Sequence, residues 1–286
     1  MDARPVKSDS VQKATPSIEI SPLSYEYVRS PSNVDSNLLV LLHGLGDTHL
    51  PFLKLGESLQ KTLPQTAVLA LRAGTPIPLL MGIGQEAWCW WESFDMLGQE
   101  VANPNPSQFL QAFAGLLEHL ITPEDNGGCG WRPSSIHLLG FAQGASAALE
   151  GTIFWTKRTV HSGQVADDKQ ELGSVVSICG NLLSHPTSKM AVSTPLLHFH
   201  RLGASPSKSE VVTSSLSRVF ANIEQASMGP VREGVTEAMP QGLSEWDPIM
   251  RFWSRLLRNR TSWELEGDLF TMSSSNVGRT EGSYPV

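Results

Sequence analysis

The sequence has few cysteines, no long apolar run and no excess of basic residues. Cys89, Cys129 and Cys179 lie far apart and lack the spacing of a zinc site. Such an odd, sparse set is typical of a reducing compartment, so we expect a cytoplasmic or nuclear protein. No window holds about 18 consecutive apolar residues, and the N-terminus lacks the apolar core of a signal peptide. We therefore expect no membrane span.

The charge balance argues against a nucleic-acid partner. The 286 residues carry a formal net charge of −7, and no stretch combines a dense Lys/Arg run with aromatic residues. With 40% apolar and 17% charged residues, the chain can bury a large core. The polar segment 1–22 and the Ser- and Gly-rich segment 261–286 are predicted to be disordered tails. Between them we expect a single domain over residues 23–260.

Short apolar runs alternate with stretches of helical spacing along this domain. That alternation predicts the α/β class, with a mostly parallel central sheet and helices on both of its faces. An irregular segment, 74–107, interrupts the pattern and contains four aromatic residues within seven positions. The predicted strands are 37–42, 66–73, 134–141, 173–183 and 194–202, and the predicted helices are 51–62, 108–121, 144–155, 208–223 and 248–260.

One motif has the layout of a catalytic turn but lacks the reactive residue. Residues 140–144 read Gly-Phe-Ala-Gln-Gly and lie between a predicted strand and a predicted helix. A nucleophile elbow has this position and the pattern G-x-S-x-G. Here Ala142 stands at the nucleophile position, and its methyl group cannot attack an acyl carbon. Ser146, about one helical turn further on, is expected to face the helix packing rather than the cleft.

A second turn, His43-Gly44-Leu45-Gly46, follows the predicted strand 37–42. Turns at this place can direct a backbone N–H group at a developing oxyanion, and a second N–H group comes from the residue after the nucleophile. The amides of Leu45 and Gln143 are therefore the candidate oxyanion-hole donors. Both are backbone groups, so the alanine at position 142 does not remove them.

These motifs together resemble the acyl-protein thioesterase, or phospholipase/carboxylesterase, family of α/β-hydrolases. The resemblance covers about residues 36–257. It implies an α/β-hydrolase fold, activity on acyl thioesters or esters, and no metal or organic cofactor. It rests on LLHGLGD (41–47), on the W-x-x-F-D pattern of Trp91, Phe94 and Asp95, on GFAQG in place of the family's GFSQG, and on TPLLHFH (194–200).

The resemblance also implies an acid and a histidine, and neither is present. The acid belongs in the loop after residues 194–200, but residues 201–207 contain no carboxylate, and Glu210 is expected in the next helix. The histidine belongs in the turn before the last helix, where Met239 stands. No histidine follows His200 anywhere in the chain. Three failed positions predict a catalytically impaired protein, a pseudo-hydrolase.

A working carboxylesterase or acyl-thioesterase with a non-standard set of residues remains the alternative. For each candidate substitute, a structural role is the plainer interpretation: a buried thiol, packed histidines, a turn-forming aspartate with a surface histidine, and an aspartate that holds its loop. The candidates are Cys179, His198, His200, Asp47, His49, Glu92 and Asp95.

The segment 74–107 occupies the place of a flap beside the acyl channel in the family. It would supply an apolar groove for an acyl chain or another apolar small molecule. The same side chains would alternatively cover the sheet and core, and because tryptophan and methionine are common at interfaces, a protein partner competes. The candidate ligand-binding residues are Leu79, Leu80, Met81, Trp88, Trp91 and Phe94.

Overall fold

A computed structural model describes most of the chain, with gaps mainly in the tails and in four internal segments. The described residues are 3–5, 11–19, 21–77, 86–95, 97–161, 171–184, 192–202, 206–232, 235, 237–261, 264 and 270–272.

Eleven strands and five α-helices are present in the described residues. In chain order they are β1 (Ala3–Pro5), β2 (Ser24–Val28), β3 (Asn37–Leu42), α1 (His49–Gln60), β4 (Thr66–Arg72), β5 (Thr75–Pro76), β6 (Trp88–Cys89), α2 (Ser107–Ile121), β7 (Ile136–Phe141), α3 (Gln143–His161), β8 (Ser174–Ile178), β9 (Leu196–Arg201), α4 (Pro206–Ser217), β10 (Ile223–Met228), α5 (Gly242–Ser254) and β11 (Phe270–Met272).

The central sheet has seven strands in the order β10-β9-β8-β7-β3-β4-β2. All neighbours are parallel except β2, which runs antiparallel along the edge of β4. Leu42 at the end of β3 lies opposite Leu71 and Gly140. The carboxyl ends of β3, β4 and β7 therefore meet at one edge, where open α/β sheets bind their ligands. The predicted α/β-hydrolase class is confirmed.

Helices cover both faces, which explains why the strands are apolar throughout. Leu38, Val40 and Leu42 pack with residues of α2, α3 and α4 on one face. Leu39 and Leu41 pack with residues of α1 and α5 on the other. Every residue of β3 is buried.

The two edge strands of the central sheet and two helix boundaries differ from the sequence prediction. Neither β2 nor β10 was among the predicted strands; both have half-polar sequences, and in β10 only Ala226 is buried. The helix predicted over 208–223 ends at Ser217, before β10 begins. Helix α5 begins at Gly242 rather than at Pro248. Proline is commonest in the first helical turn, so the expected start was placed too late; here Pro248 lies inside the helix.

Residues 11–19 differ from the loose tail expected for 1–22. The amide of Lys13 donates to the Asp35 carboxylate at 2.9 Å, and the amide of Asp35 donates to the Val11 carbonyl at 2.8 Å. The Tyr25 hydroxyl donates to the Ile18 carbonyl at 2.9 Å. Nearer the two ends of the chain, β1 pairs antiparallel with β11.

Candidate functional site

The turn between β7 and α3 has the backbone of a nucleophile elbow. Ala142 has a φ of +49°, in the left-handed region that L residues other than glycine rarely adopt. Its amide donates to the Ile178 carbonyl at 2.8 Å, and its own carbonyl accepts from Ala145 and Ser146. The frame of a catalytic turn is therefore present, with a methyl group at its apex.

The two glycines of the motif are required by close backbone approach. A Cβ added at Gly140 would lie 2.3 Å from the carbonyl oxygen of Gly144. A Cβ added at Gly144 would lie 2.2 Å from the carbonyl oxygen of His43 and 2.4 Å from that of Leu42. The closeness of Gly144 to the His43 carbonyl also shows that the elbow packs directly on the turn that follows β3.

Two backbone amides near this contact have no hydrogen-bond partner among the described residues, one in the turn after β3 and one at the start of α3. Gly46 has a φ of +81°, and its amide donates to the Trp88 carbonyl at 2.9 Å. Among the described residues, neither the Leu45 amide nor the Gln143 amide donates a hydrogen bond. The Gln143 amide is free because the first N–H groups of a helix have no partner within that helix. Leu45 is 43% exposed, so its turn reaches solvent.

His43 has a structural role beneath the turn. Its Nε2 atom accepts from the Ala73 amide at 3.1 Å, which leaves the Nδ1 atom to donate to the Gly44 carbonyl at 2.8 Å. Burial lowers the pKa of His43 to about 4, so the ring is neutral at pH 7. The carbonyl of His43 accepts from the Trp90 indole at 2.8 Å. The imidazole is therefore already committed to backbone partners.

The Gln143 side chain fastens the aromatic segment to the elbow. Its Oε1 atom accepts from the Trp90 amide at 2.9 Å, and its Nε2 atom donates to the Ser93 hydroxyl at 2.7 Å. The Gln143 side chain therefore connects the elbow to Trp90 and Ser93 of the aromatic segment.

The predicted ligand-binding residues fall into three environments. Leu79, Leu80 and Met81 lie outside the described residues. Trp91 is only 6% exposed and packs in the main core, while Phe94 packs on the small cluster of Ile77, Ala87 and Cys89. Trp88 is half-buried, with the Arg72 guanidinium 4.5 Å from its ring centroid. Phe94 thus covers a small cluster, whereas Trp91 packs in the main core and also lines a cavity.

A cavity of about 450 Å³, which we call the flap cavity, opens beside the aromatic residues of segment 88–94. Trp90, Trp91 and Phe109 form its apolar wall, and Asn103, Asn105, Gln108 and Glu92 are among its polar residues. Its volume lies in the range used for small molecules. The lining is mixed rather than purely apolar.

A buried arginine ends the strand that precedes the loop in which the acid is expected. Arg201 is the last residue of β9, and its side chain is 0% exposed. Its guanidinium contacts the Glu245 carboxylate through two bonds, of 3.0 and 2.6 Å. It also donates to the carbonyls of Ala238 at 3.1 Å, Met239 at 2.8 Å and Gly229 at 3.0 Å. We call this set, Arg201 with Glu245 and the three carbonyls, the Arg201 clamp.

The clamp holds the turn in which the histidine is expected. Met239 is half-buried, its side chain packs on the α1/α5 face of the core, and its carbonyl is bound by Arg201. The hydrogen bonds from Arg201 lower the pKa of the Glu245 carboxyl, and Glu245 raises the pKa of the guanidinium. Both groups are therefore charged at neutral pH. A buried cation therefore lies beside residue 239, the position predicted for the histidine.

The other candidate residues have structural partners. His198 and His200 stack at 5.2 Å between ring centroids, and the His200 ring contacts the Ser227 hydroxyl. His49 pairs with Glu26 at 3.2 Å. Asp95 accepts from the amides of Leu97 and Gln99 and so holds its own loop, as expected. Asp47 accepts a hydrogen bond from the Thr48 amide in its own turn. Glu92 lines the flap cavity.

Ser146 and Cys179 lie close to the elbow. The Ser146 hydroxyl accepts from the Asn181 amide at 3.1 Å. Cys179 directly follows β8, has a φ of +57° and is partly exposed, whereas Cys89 and Cys129 are buried. Burial raises the pKa of the Cys179 thiol, so the thiol is protonated at neutral pH.

We therefore expect iodoacetamide to alkylate Cys179 more slowly than it alkylates glutathione at pH 8. The thiolate is the reacting form, and burial disfavours it. Peptide mapping of a time course measures the rate at Cys179 alone, with Cys129 as the buried control. Alkylation of Cys179 faster than that of glutathione would indicate an activated thiol and contradict this assignment.

Sequence reasoning missed the two residues that organise the site most. Arg201 carries a signal, because an arginine ends a strand that otherwise holds only leucine, phenylalanine and histidine, but nothing in the sequence names its partner Glu245, 44 positions away. The role of the Gln143 side chain depends on the packing of the flap. Glu210 lies in α4, as expected.

The described residues contain neither a membrane-spanning helix nor a metal-binding cluster. No helix there is long and apolar enough to cross a membrane. No group of three or more His, Cys, Asp or Glu residues within them is arranged to hold a metal ion.

Comparison with known proteins places these features in a family. A family model described as phospholipase/carboxylesterase matches residues 23–252. An uncharacterized hydrolase from Mycosarcoma maydis is 42% identical over 252 residues, 85% of each chain. The crystal structure of esterase PE8 superposes with a TM-score of 0.57 at 20% identity, covering 82% of this chain and 99% of that one. Zea mays acyl-protein thioesterase 2 gives a TM-score of 0.52 at 19% identity, with 82% and 99% coverage. The chain belongs to the phospholipase/carboxylesterase family of α/β-hydrolases.

Proposed function

We propose that this chain is a non-catalytic member of its family that binds an acyl or other apolar ligand beside the elbow. The observation that carries the proposal is the Arg201 clamp. In a serine hydrolase, a carboxylate stabilises the imidazolium formed when the histidine takes the serine proton. The Arg201 guanidinium beside residue 239 would instead lower the pKa of a histidine at that position and oppose that proton transfer.

Two further features support the proposal. Ala142 has no atom that can form an acyl-enzyme bond, and Met239 has no atom that can accept a proton from a nucleophile. In a serine protease, loss of the triad as a unit costs about a millionfold in kcat. The free amides of Leu45 and Gln143 would remain as hydrogen-bond donors to a ligand carbonyl, since neither depends on a side chain.

The flap cavity is the proposed place of the ligand. Its tryptophans offer apolar contact, and its asparagine and glutamine side chains offer a few polar contacts that would set orientation. A protein partner at the same surface is the competing form of this proposal. Binding of a medium-chain acyl amide by the purified chain, and its loss in Trp90→Ala, would favour the small molecule.

We expect no hydrolysis of p-nitrophenyl butyrate or of a palmitoyl thioester above the rate of the heat-denatured chain. Neither Ala142→Ser nor the double variant Ala142→Ser/Met239→His is expected to restore turnover, because Arg201 remains beside residue 239. Stopped-flow absorbance measures both the burst and the steady rate, and a family esterase with an intact triad is the positive control. Turnover in the unmodified chain would overturn the proposal.

The second candidate function is an esterase that uses another nucleophile. The observation that favours it is the position of Cys179 beside the elbow, since the preceding residue accepts the Ala142 amide hydrogen bond. Its raised pKa weighs against it. If the unmodified chain does turn over ester, loss of that activity in Cys179→Ser but not in Cys129→Ser would assign it to this thiol.

The proposed location is the cytoplasm or nucleus. It is supported by three cysteines of which none forms a disulfide and two are buried.

A further inference from the structure

A second cavity, of about 570 Å³, lies at the edge of the sheet beside β2. Ser17, Glu19, Pro22, Ser24 and Arg72 are among its lining residues. Pro22 also lines the flap cavity, so the two cavities are neighbours. Arg72 is the last residue of β4 and therefore lies at the carboxyl edge of the sheet, beside the turn that follows β3.

Arg72 has an unusual electrostatic environment. Its side chain is partly buried against Trp88, with the guanidinium carbon 4.5 Å from the ring centroid. Its Nε atom is enclosed and has no hydrogen-bond partner within the part of the chain that the structure describes. No carboxylate of the described residues lies within 4.0 Å of its guanidinium nitrogens. The two terminal NH₂ groups also have no partner among the described residues and are not enclosed, so an external acceptor could reach them. A partly buried charged donor without a partner is costly, so this arrangement favours such an acceptor.

The nearby carboxylates have other environments. Glu26 lies on the same face of the β2/β4 pair as Arg72 but pairs with His49 at 3.2 Å. Asp47 accepts from the Thr48 amide at 2.8 Å. Glu19 is exposed on the cavity wall. None of the three neutralises the guanidinium by direct contact.

The contact with the Trp88 ring restricts the guanidinium, and its planar fork suits two-pronged binding of an oxyanion. Ser24 is paired with Arg72 across the β2/β4 ladder, which places the two side chains next to each other on one face. Its hydroxyl can add a third donor.

We propose that Arg72, held by Trp88 and flanked by Ser24, binds the carboxylate or phosphate group of a small molecule in this cavity. Arginine is suited to both groups because its parallel N–H bonds match two oxygens of either. The site would function whether or not the chain hydrolyses esters, because none of its residues belongs to the elbow or to the Arg201 clamp.

The test is calorimetric titration of the full chain with sodium acetate and with sodium phosphate, against sodium chloride at the same ionic strength. Wild-type protein is expected to bind at least one of the two oxyanions more tightly than chloride, and which one it binds identifies the class of group. Arg72→Gln is expected to weaken that binding by about tenfold or more, as loss of a charged hydrogen bond does. Arg251→Gln, which removes an exposed arginine paired only with Asp247, is the matched control and should bind like wild type.

Arg72→Lys is the second variant, and it decides the question if Arg72→Gln fails to fold by circular dichroism. Lysine keeps the charge but lacks the planar fork, so binding is expected to weaken by about tenfold here also. The proposal is overturned if neither oxyanion binds better than chloride, if Arg251→Gln loses as much affinity as the Arg72 variants, or if Arg72→Lys binds like wild type. A negative result here leaves the esterase assays unaffected, because those depend on Ala142 and Met239.

Discussion

Replacement of Arg201 by methionine is expected to lower the free energy of unfolding by about 3–5 kcal/mol. The guanidinium is fully buried and satisfies one carboxylate and three backbone carbonyls, all of which would lose a charged donor. Methionine fills a similar volume, so the loss would report the missing hydrogen bonds rather than a cavity. Urea unfolding followed by tryptophan fluorescence measures the change.

Arg251→Met is the matched control for this measurement. Arg251 pairs with Asp247 one turn earlier in α5, and the two side chains are 75% and 52% exposed. Exposed pairs of this kind contribute about 0.5 kcal/mol or less. If Arg201→Met were no more costly than Arg251→Met, the clamp would have no structural role, and Arg201 would not hold the turn that contains residue 239.

Substitution of Gly144 by alanine is expected to cost about 3 kcal/mol or more, or to prevent folding. The added Cβ would lie 2.2 Å from the His43 carbonyl oxygen and 2.4 Å from that of Leu42. The start of α3 and the end of β3 would therefore have to move apart. Thermal unfolding by calorimetry gives the change in stability, and soluble yield gives a second indication.

Gly115→Ala is the control with the opposite sign. Gly115 lies within α2, and an added Cβ there meets nothing within 4 Å. Alanine is the better helix former by about 1 kcal/mol, so this variant is expected to be slightly more stable than wild type. Equal effects of the two substitutions would mean that the elbow is not closely packed on the turn after β3.

The Gly144 prediction bears on why the elbow persists without a nucleophile. Ala142 retains a left-handed φ of +49°, which costs roughly 1 kcal/mol for a non-glycine residue. The glycines on either side bring α3 against β3 and against the turn that follows it, so the same backbone is needed for packing. The intact motif is therefore evidence of the fold and carries no implication of activity, which the side chains must supply.

The sequence was sufficient for the layers of the fold because the central strands are short, continuous apolar runs. The strand predicted at 37–42 coincides with β3, and the helix predicted at 108–121 differs from α2 by one residue. The edge strands β2 and β10 were missed because each has a polar, half-exposed sequence. Their pairing is set by the neighbouring strand rather than by their own apolar pattern.

Some features of the site also follow from local sequence signals, whereas others depend on contacts between distant residues. The position of Ala142 and the closeness of its turn to His43 follow from the motif and the strand order, both of which are local signals. The Arg201 clamp joins residues 44 positions apart, and the contact of Gln143 with Trp90 spans 53. Contacts at that separation depend on how loops pack, and a single sequence does not encode them in any periodic pattern.

The central claim is that the chain has no activated serine, and a fluorophosphonate probe tests it most directly. Such a probe forms a covalent adduct only with a serine whose hydroxyl is activated by a base. The measurement is intact mass spectrometry of the purified chain after incubation with the probe, beside Ala142→Ser and a family esterase with an intact triad. We expect an adduct on the esterase alone. An adduct on the unmodified chain, mapped to any serine, would contradict it.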